Sequence, residues 1–175
     1  MSTPPSSLLA VIRGLDAVSI WSGRIVAWLI VPMVLSLVYE VVARYVFDAP
    51  TIWAYDMTFM LYGSLFMLGS AYTLQRGGHI RTDNFYAGWS ERRKGWTDAA
   101  CYLVLFFPAI VIFTVLSWDY FARSWAQSER IVTSPWMAPV YPFKATMPLT
   151  GLLLFLQGIS EFMKSVWAGL HGERL

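Results

Sequence analysis

Charge is scarce in this sequence: only 14% of its 175 residues are Asp, Glu, Lys or Arg, against about 25% in a typical soluble domain. So few charges do not cover a water-facing surface, and a hydrophobic content of 57% with a mean hydropathy of +0.50 places the chain in lipid. Cysteine and histidine are nearly absent as well. Cys101 alone leaves no internal disulfide, and beside Tyr102 and Leu103 its expected role is packing. His79 and His171 fall outside the apolar runs, so haem held between facing imidazoles within the bilayer is excluded. No HExxH, no GxSxG and no cluster of acids with histidines is present, so no catalytic, cofactor-binding or metal-binding residues are expected, and the chain reads as a non-enzyme. A net charge of +2 gives no footprint for nucleic acid.

Apolar length and aromatic rings are what the chain has. Aromatic residues make up 17% of it, nine of them Trp, as expected where amphipathic rings meet two membrane interfaces. Charge-free cores cover 25–39, 57–75, 99–118 and 145–160. Since a membrane helix needs about 20 mostly apolar residues, these predict spans over about 24–46, 55–76, 97–122 and 140–167. The fold class expected is therefore all-α integral membrane, with four transmembrane helices plus short interfacial amphipathic helices, in a single domain over 1–175. Pro32, Pro108 and Pro148 fall in or near spans, which membrane helices tolerate because neighbours satisfy the freed carbonyls. Ahead of the first span, Arg13 and Asp16 interrupt the apolar run that a cleaved signal would need. Residues 6–24 instead read as an amphipathic helix lying on the membrane.

Positive charge sets the expected orientation. Nine Lys or Arg (positions 13, 24, 76, 81, 92, 93, 94, 164 and 174) fall on one side, and four (Arg44, Arg123, Arg130 and Lys144) on the other. The richer side belongs in the cytoplasm, with both termini and the loop between the second and third spans. In that loop Phe85, Tyr86, Trp89 and Trp96 alternate with Arg92, Arg93 and Lys94, a pattern for contact with membrane lipid.

The span centres are uncharged, so the chain is not expected to move a solute by itself. Its charges gather at the outer span ends: Glu40 and Arg44 four residues apart, with Asp56, Asp119, Arg123, Glu129, Arg130 and Lys144 at the same level. They read either as anchors holding the helix ends or as a dock for a soluble partner. At the inner end of the second span, Arg76-Gly77-Gly78-His79-Ile80-Arg81-Thr82-Asp83 reads as a helix stop, a glycine taking the left-handed turn and the bases complementing exposed carbonyls. Small residues Gly63, Ser64, Gly69 and Ser70 allow close helix approach, within the chain or to a partner.

Taken in order, Glu40, Arg44-Tyr45-Val46-Phe47, Trp53, Asp56, Gly69, Arg76, Gly78-His79-Ile80 and Asp83 resemble the pattern of the small membrane subunits of TRAP (tripartite ATP-independent periplasmic) transporters, over about 20–167. The chain departs from that pattern where Asp56 stands for a usual Glu and where Tyr55 or Met57 replaces a second acid. Its later stretch, from Glu129 through Pro135, Trp136, Pro142, Lys144 and Pro148 to Gly158, is similar to a branch labelled for mannitol, chloroaromatic or 2-oxo acid uptake. The resemblance implies a scaffold subunit supporting sodium-coupled, binding-protein-dependent uptake of an organic acid in a bacterial inner membrane. The implied partners are a large polytopic permease subunit, which would hold the sodium, and a periplasmic substrate-binding protein. The residues that match or flank the pattern, Glu40, Arg44, Trp53, Asp56, Arg76, Gly78, His79, Asp83, Arg123, Glu129 and Lys144, are the candidate structural or interface positions. The alternative from a different class is a membrane assembly protein without a transport role, for which the same helices would suffice.

Overall fold

The computed structural model describes residues 4–78, 88–173 and 175. Its elements are α1 (Ser6–Ala27), α2 (Ile30–Val46), α3 (Ala54–Gln75), α4 (Glu91–Cys101), a π-helical turn (Tyr102–Phe106), α5 (Phe107–Ala126), a short α6 (Tyr141–Lys144) and α7 (Thr146–His171). Among the described residues there is no strand, only one isolated bridge between Arg130 and Pro139.

Pro32, Pro108 and Pro148 each explain an interruption. A proline has no N–H for the carbonyl four residues before it, and the carbonyls concerned are those of Trp28, Val104 and Lys144. Trp28 lies in the break between α1 and α2, where Val31 N–H turns back to its carbonyl at 3.1 Å and closes a tighter turn. Val104 lies in the π-helical turn, and Lys144 is the last residue of α6. Helix therefore continues through each site with a local change of pitch.

Three helical stretches are long and apolar enough to cross a membrane among the described residues: Ser6–Val46, Ala54–Gln75 and Glu91–Ala126. On length and composition, three of the four expected crossings therefore qualify. The fourth expected crossing is α7, whose 26 residues have the length but include Gln157, Ser160, Glu161 and Lys164. The reason is its position. α7 packs against α1, α3, α4 and α5, and it holds the largest set of buried residues of any helix. A helix enclosed by protein can carry polar groups that a lipid-facing helix cannot.

α1, read from the sequence as an amphipathic helix ahead of the first span, packs on α3 and α7 and buries Ile12, Ser19 and Val26. α2 lies along α3 and buries only Ser36, leaving Val34, Leu35, Leu37, Val38, Val41 and Val42 exposed.

Glycines set the closest helix contacts. A Cβ on Gly95 of α4 would stand 2.3 Å from the Gly169 backbone nitrogen and 2.7 Å from the Ser165 carbonyl oxygen of α7. Gly158 and Gly151 receive Phe106 and Thr114, and Gly23 of α1 receives Tyr72 of α3. Of the small residues singled out on α3, Gly63 is covered by Phe143 within the chain, whereas Gly69 faces open space. Close approach through small residues is how helices associate where lipid removes the hydrophobic drive.

Candidate functional site

The loop after α5 meets the start of α3 at one end of the bundle, where the Ser134 hydroxyl donates to the Asp56 carboxylate. Asp56 is 9% exposed and sits in the first turn of α3, where the helix dipole favours an anion. Ser134 in turn accepts from the Trp136 N–H at 3.2 Å.

Glu40 and Arg44 pair across one turn of α2, as their spacing implies. The second oxygen of Glu40 does more: it accepts from the Thr51 N–H at 2.9 Å and from the Thr51 hydroxyl. Thr51 opens the way into α3, so one carboxylate ties the end of α2 to the start of its neighbour. Trp53, the residue before α3, lies against Tyr39 with ring centroids 5.6 Å apart and closes the same corner.

Lys144 is the most enclosed cation at this end, 6% exposed. Its ammonium donates to Glu129 and stands 3.8 Å from the centroid of the Tyr120 ring, which joins the α5–α6 loop, α5 and α6 through one group. That hydrogen bond holds the Glu129 carboxyl below the ordinary carboxylate range. Arg130 donates to the Met137 carbonyl at 3.1 Å, and Ile131 N–H to Ala138 at 2.9 Å, so the loop is a narrow hairpin. Arg123 and Asp119 are exposed and form no ion pair among the described residues.

At the opposite end the paired-glycine stop forms. Gly77 takes φ +66°, with its N–H on Leu74 and the N–H of Gly78 on Thr73, which is the two-bond closure of a helix C-terminus. Arg76 stacks over Tyr72 and donates to its hydroxyl at 3.1 Å. His79 and Asp83 lie outside the described residues. Arg92 donates to the carbonyls of Gly169 and Leu170 at 3.1 and 2.9 Å, capping α7.

The sequence reading missed a polar knot between α1 and α7. Asp16 accepts from Gln157 at 3.0 Å, Ser160 at 2.6 Å and Lys164 at 2.8 Å, and Lys164 also reaches Glu161 at 2.9 Å. Gln157 and Ser160 are wholly buried. The signal available was the run of polar positions 157, 160, 161 and 164 at helical spacing, one face of α7, opposite a lone acid in an otherwise apolar stretch. No group of three or more metal-binding side chains occurs among the described residues.

These features define a helical membrane protein whose charges tie helix ends together or knot one helix onto another. The family model for the DctQ component of tripartite ATP-independent periplasmic transporters matches residues 33–167. The chain belongs to that family and is a small TRAP transporter subunit. Neither a curated protein nor a solved structure gives a significant match to it.

Proposed function

We propose that this subunit is a scaffold for a large polytopic permease subunit, in a bacterial inner membrane, in a system that takes up an organic acid delivered by a periplasmic binding protein and coupled to sodium. Sodium belongs to the large subunit in this reading. The observation that carries it is the exposed apolar length of α2: a helix packed on one neighbour, with its outer-end charges turned back into its own chain, offers a long surface that lipid or another membrane helix must cover. The other support is family membership, since the component works as one of three. In this orientation α7 is the fourth crossing, sheltered by the other helices, both termini are cytoplasmic, and the Glu40, Asp56 and Lys144 corner faces the periplasm.

The test is deletion of the chain in a strain that depends on the system. Uptake of the transported acid is lost while the isolated binding protein still binds it, and a tagged copy brings a large permease down in near-equal amount. Unimpaired uptake after deletion would sink the proposal.

A further inference from the structure

The polar knot between α1 and α7 is not sealed. The side chains of Asp16, Glu161 and Lys164 keep 19%, 15% and 21% of their surface exposed, and a charged group that borders hydrocarbon is costly. Beside them lies a cavity of about 350 Å³, enclosed by the C-terminal end of α3, by α4 and by the C-terminal part of α7. Gln75 and Arg76 form one wall, Asp98 another, and Glu161, Lys164 and Ser165 the third. The cavity thus reaches two members of the knot directly, and two acids and two bases border it.

The neighbouring cavity is of the opposite kind. It shares Asp98, but its other walls are Leu74, Cys101, Tyr102, Leu105 and Phe106, as suits a surface turned to lipid. A polar cavity of 350 Å³ holds on the order of ten waters, whereas an acyl chain there would lie against four ionisable side chains. Arg76, Gly77 and Leu175 also line it and are exposed, so the cavity opens at the Arg76 end of the bundle. We propose that it is a water-filled vestibule that brings solvent to the Asp16–Glu161–Lys164 knot, from the cytoplasmic side in the orientation given above. Its ligand is water, and small hydrophilic solutes follow the water in. The vestibule lets the knot stay ionised within a membrane helix bundle, and it opens the pairing that fixes α1 to screening by salt.

The experiment uses the full chain as extracted with its co-purifying partner, placed in nanodiscs, where buffer bathes both faces and the result does not depend on orientation. Ser165→Cys and Gln75→Cys put a thiol on facing walls of the vestibule, and native Cys101, in the apolar groove, is the internal reference. Ser165→Cys removes only a hydroxyl that bonds within its own helix, to the Glu161 carbonyl at 2.8 Å, so the Tm is kept. The probe is a methanethiosulfonate with a permanent ammonium charge, and labelling is followed peptide by peptide by mass spectrometry. The thiolate is the reacting form, and apolar surroundings raise the pKa of a thiol. Both introduced thiols should therefore react at least roughly tenfold faster than Cys101, the effect of one pKa unit. Rates equal to that of Cys101 would overturn the proposal, because a cavity filled by lipid protects all three thiols alike. A second reading needs no thiol. The coupling between Asp16→Asn and Lys164→Met should fall between about 0.1 M and about 1 M salt, as the screening length shrinks from about 10 to about 3 Å. A coupling indifferent to salt would show a sealed knot and would equally overturn the vestibule.

Discussion

Lys144 concentrates several contacts in one side chain. Buried at 6% exposure, it meets a half-exposed Glu129 and the face of Tyr120. Replacing it by Met keeps the stem but leaves the carboxylate without its cation and the ring without its charge. Because Glu129 is open to solvent, the loss is closer to that of a surface pair than of a buried one. A fall in detergent Tm of roughly 2–4 °C is expected for Lys144→Met, and an unchanged Tm would show the contact to be idle. The pH dependence has a definite sign. The Glu129 carboxyl titrates below its ordinary value in the folded state because Lys144 donates to it, so the pair contributes fully above the ordinary value and is lost as the pH falls through the depressed one. The Tm gap between the wild type and Glu129→Gln should be flat at neutral pH and close as the pH falls from the ordinary glutamate value of about 4.3 through the depressed one. Of this corner, the sequence exposed the acids and bases and the four-residue spacing of Glu40 and Arg44. Thr51 and Ser134, which bind the carboxylates of Glu40 and Asp56, were invisible because hydroxyl residues occur everywhere and only the folding of each loop onto a helix end selects these.

At the level of helices, what glycine and proline do was partly legible. Four helices end in a left-handed residue: Asp48 beyond α2, Gly77 beyond α3, Ser128 beyond α5 and Gly172 beyond α7. The glycine stop at Gly77 could be read because glycine takes that conformation freely; Ser128 has a side chain that disfavours it, and Asp48, though of a type that visits it, does so too seldom for its identity to mark the position. The prolines could be placed in spans, but not the π-helical turn or the tight turn that accommodates them. Gly95 makes the sharpest case, because its neighbours on α7 are backbone atoms that cannot rotate away. Gly95→Ala must push α4 from α7 and is expected to cost about 1–3 kcal/mol, with a matching fall in detergent Tm. Gly14→Ala, where a Cβ meets nothing, serves as the control and should be neutral or stabilising by up to about 1 kcal/mol through helix propensity. Equal behaviour of the two variants would mean that α4 and α7 do not meet at Gly95.

Across the whole molecule, the link that organises the bundle joins residues far apart in sequence. Asp16 on α1 meets Ser160 and Lys164 on α7, more than 140 positions later. The polar face of α7 is visible in the sequence but its partner is not, so α1 read as an amphipathic helix on the membrane leading into the first span and α7 as an ordinary span. Once they are joined, both oddities have one cause: the acid that interrupts α1 and the polar face that lowers the hydropathy of α7 answer each other. Two carboxylates share one ammonium there, Asp16 and Glu161 on Lys164. Removing the cation leaves like charges facing each other beside the wholly buried Gln157, whereas removing Asp16 leaves Lys164 still paired with Glu161. The single variants should therefore be unequal, with Lys164→Met the more damaging and Asp16→Asn the milder. The coupling between the two in a double-mutant cycle should be about 1–3 kcal/mol, read from detergent unfolding of the purified chain. If the knot holds α1 in place, Lys164→Met also speeds proteolysis within 6–27 before the rest of the bundle opens, and Asp16→Asn restores part of the protection by relieving the repulsion. Additive effects with no gain in protection would mean that α1 is held by its apolar contacts with α3 alone.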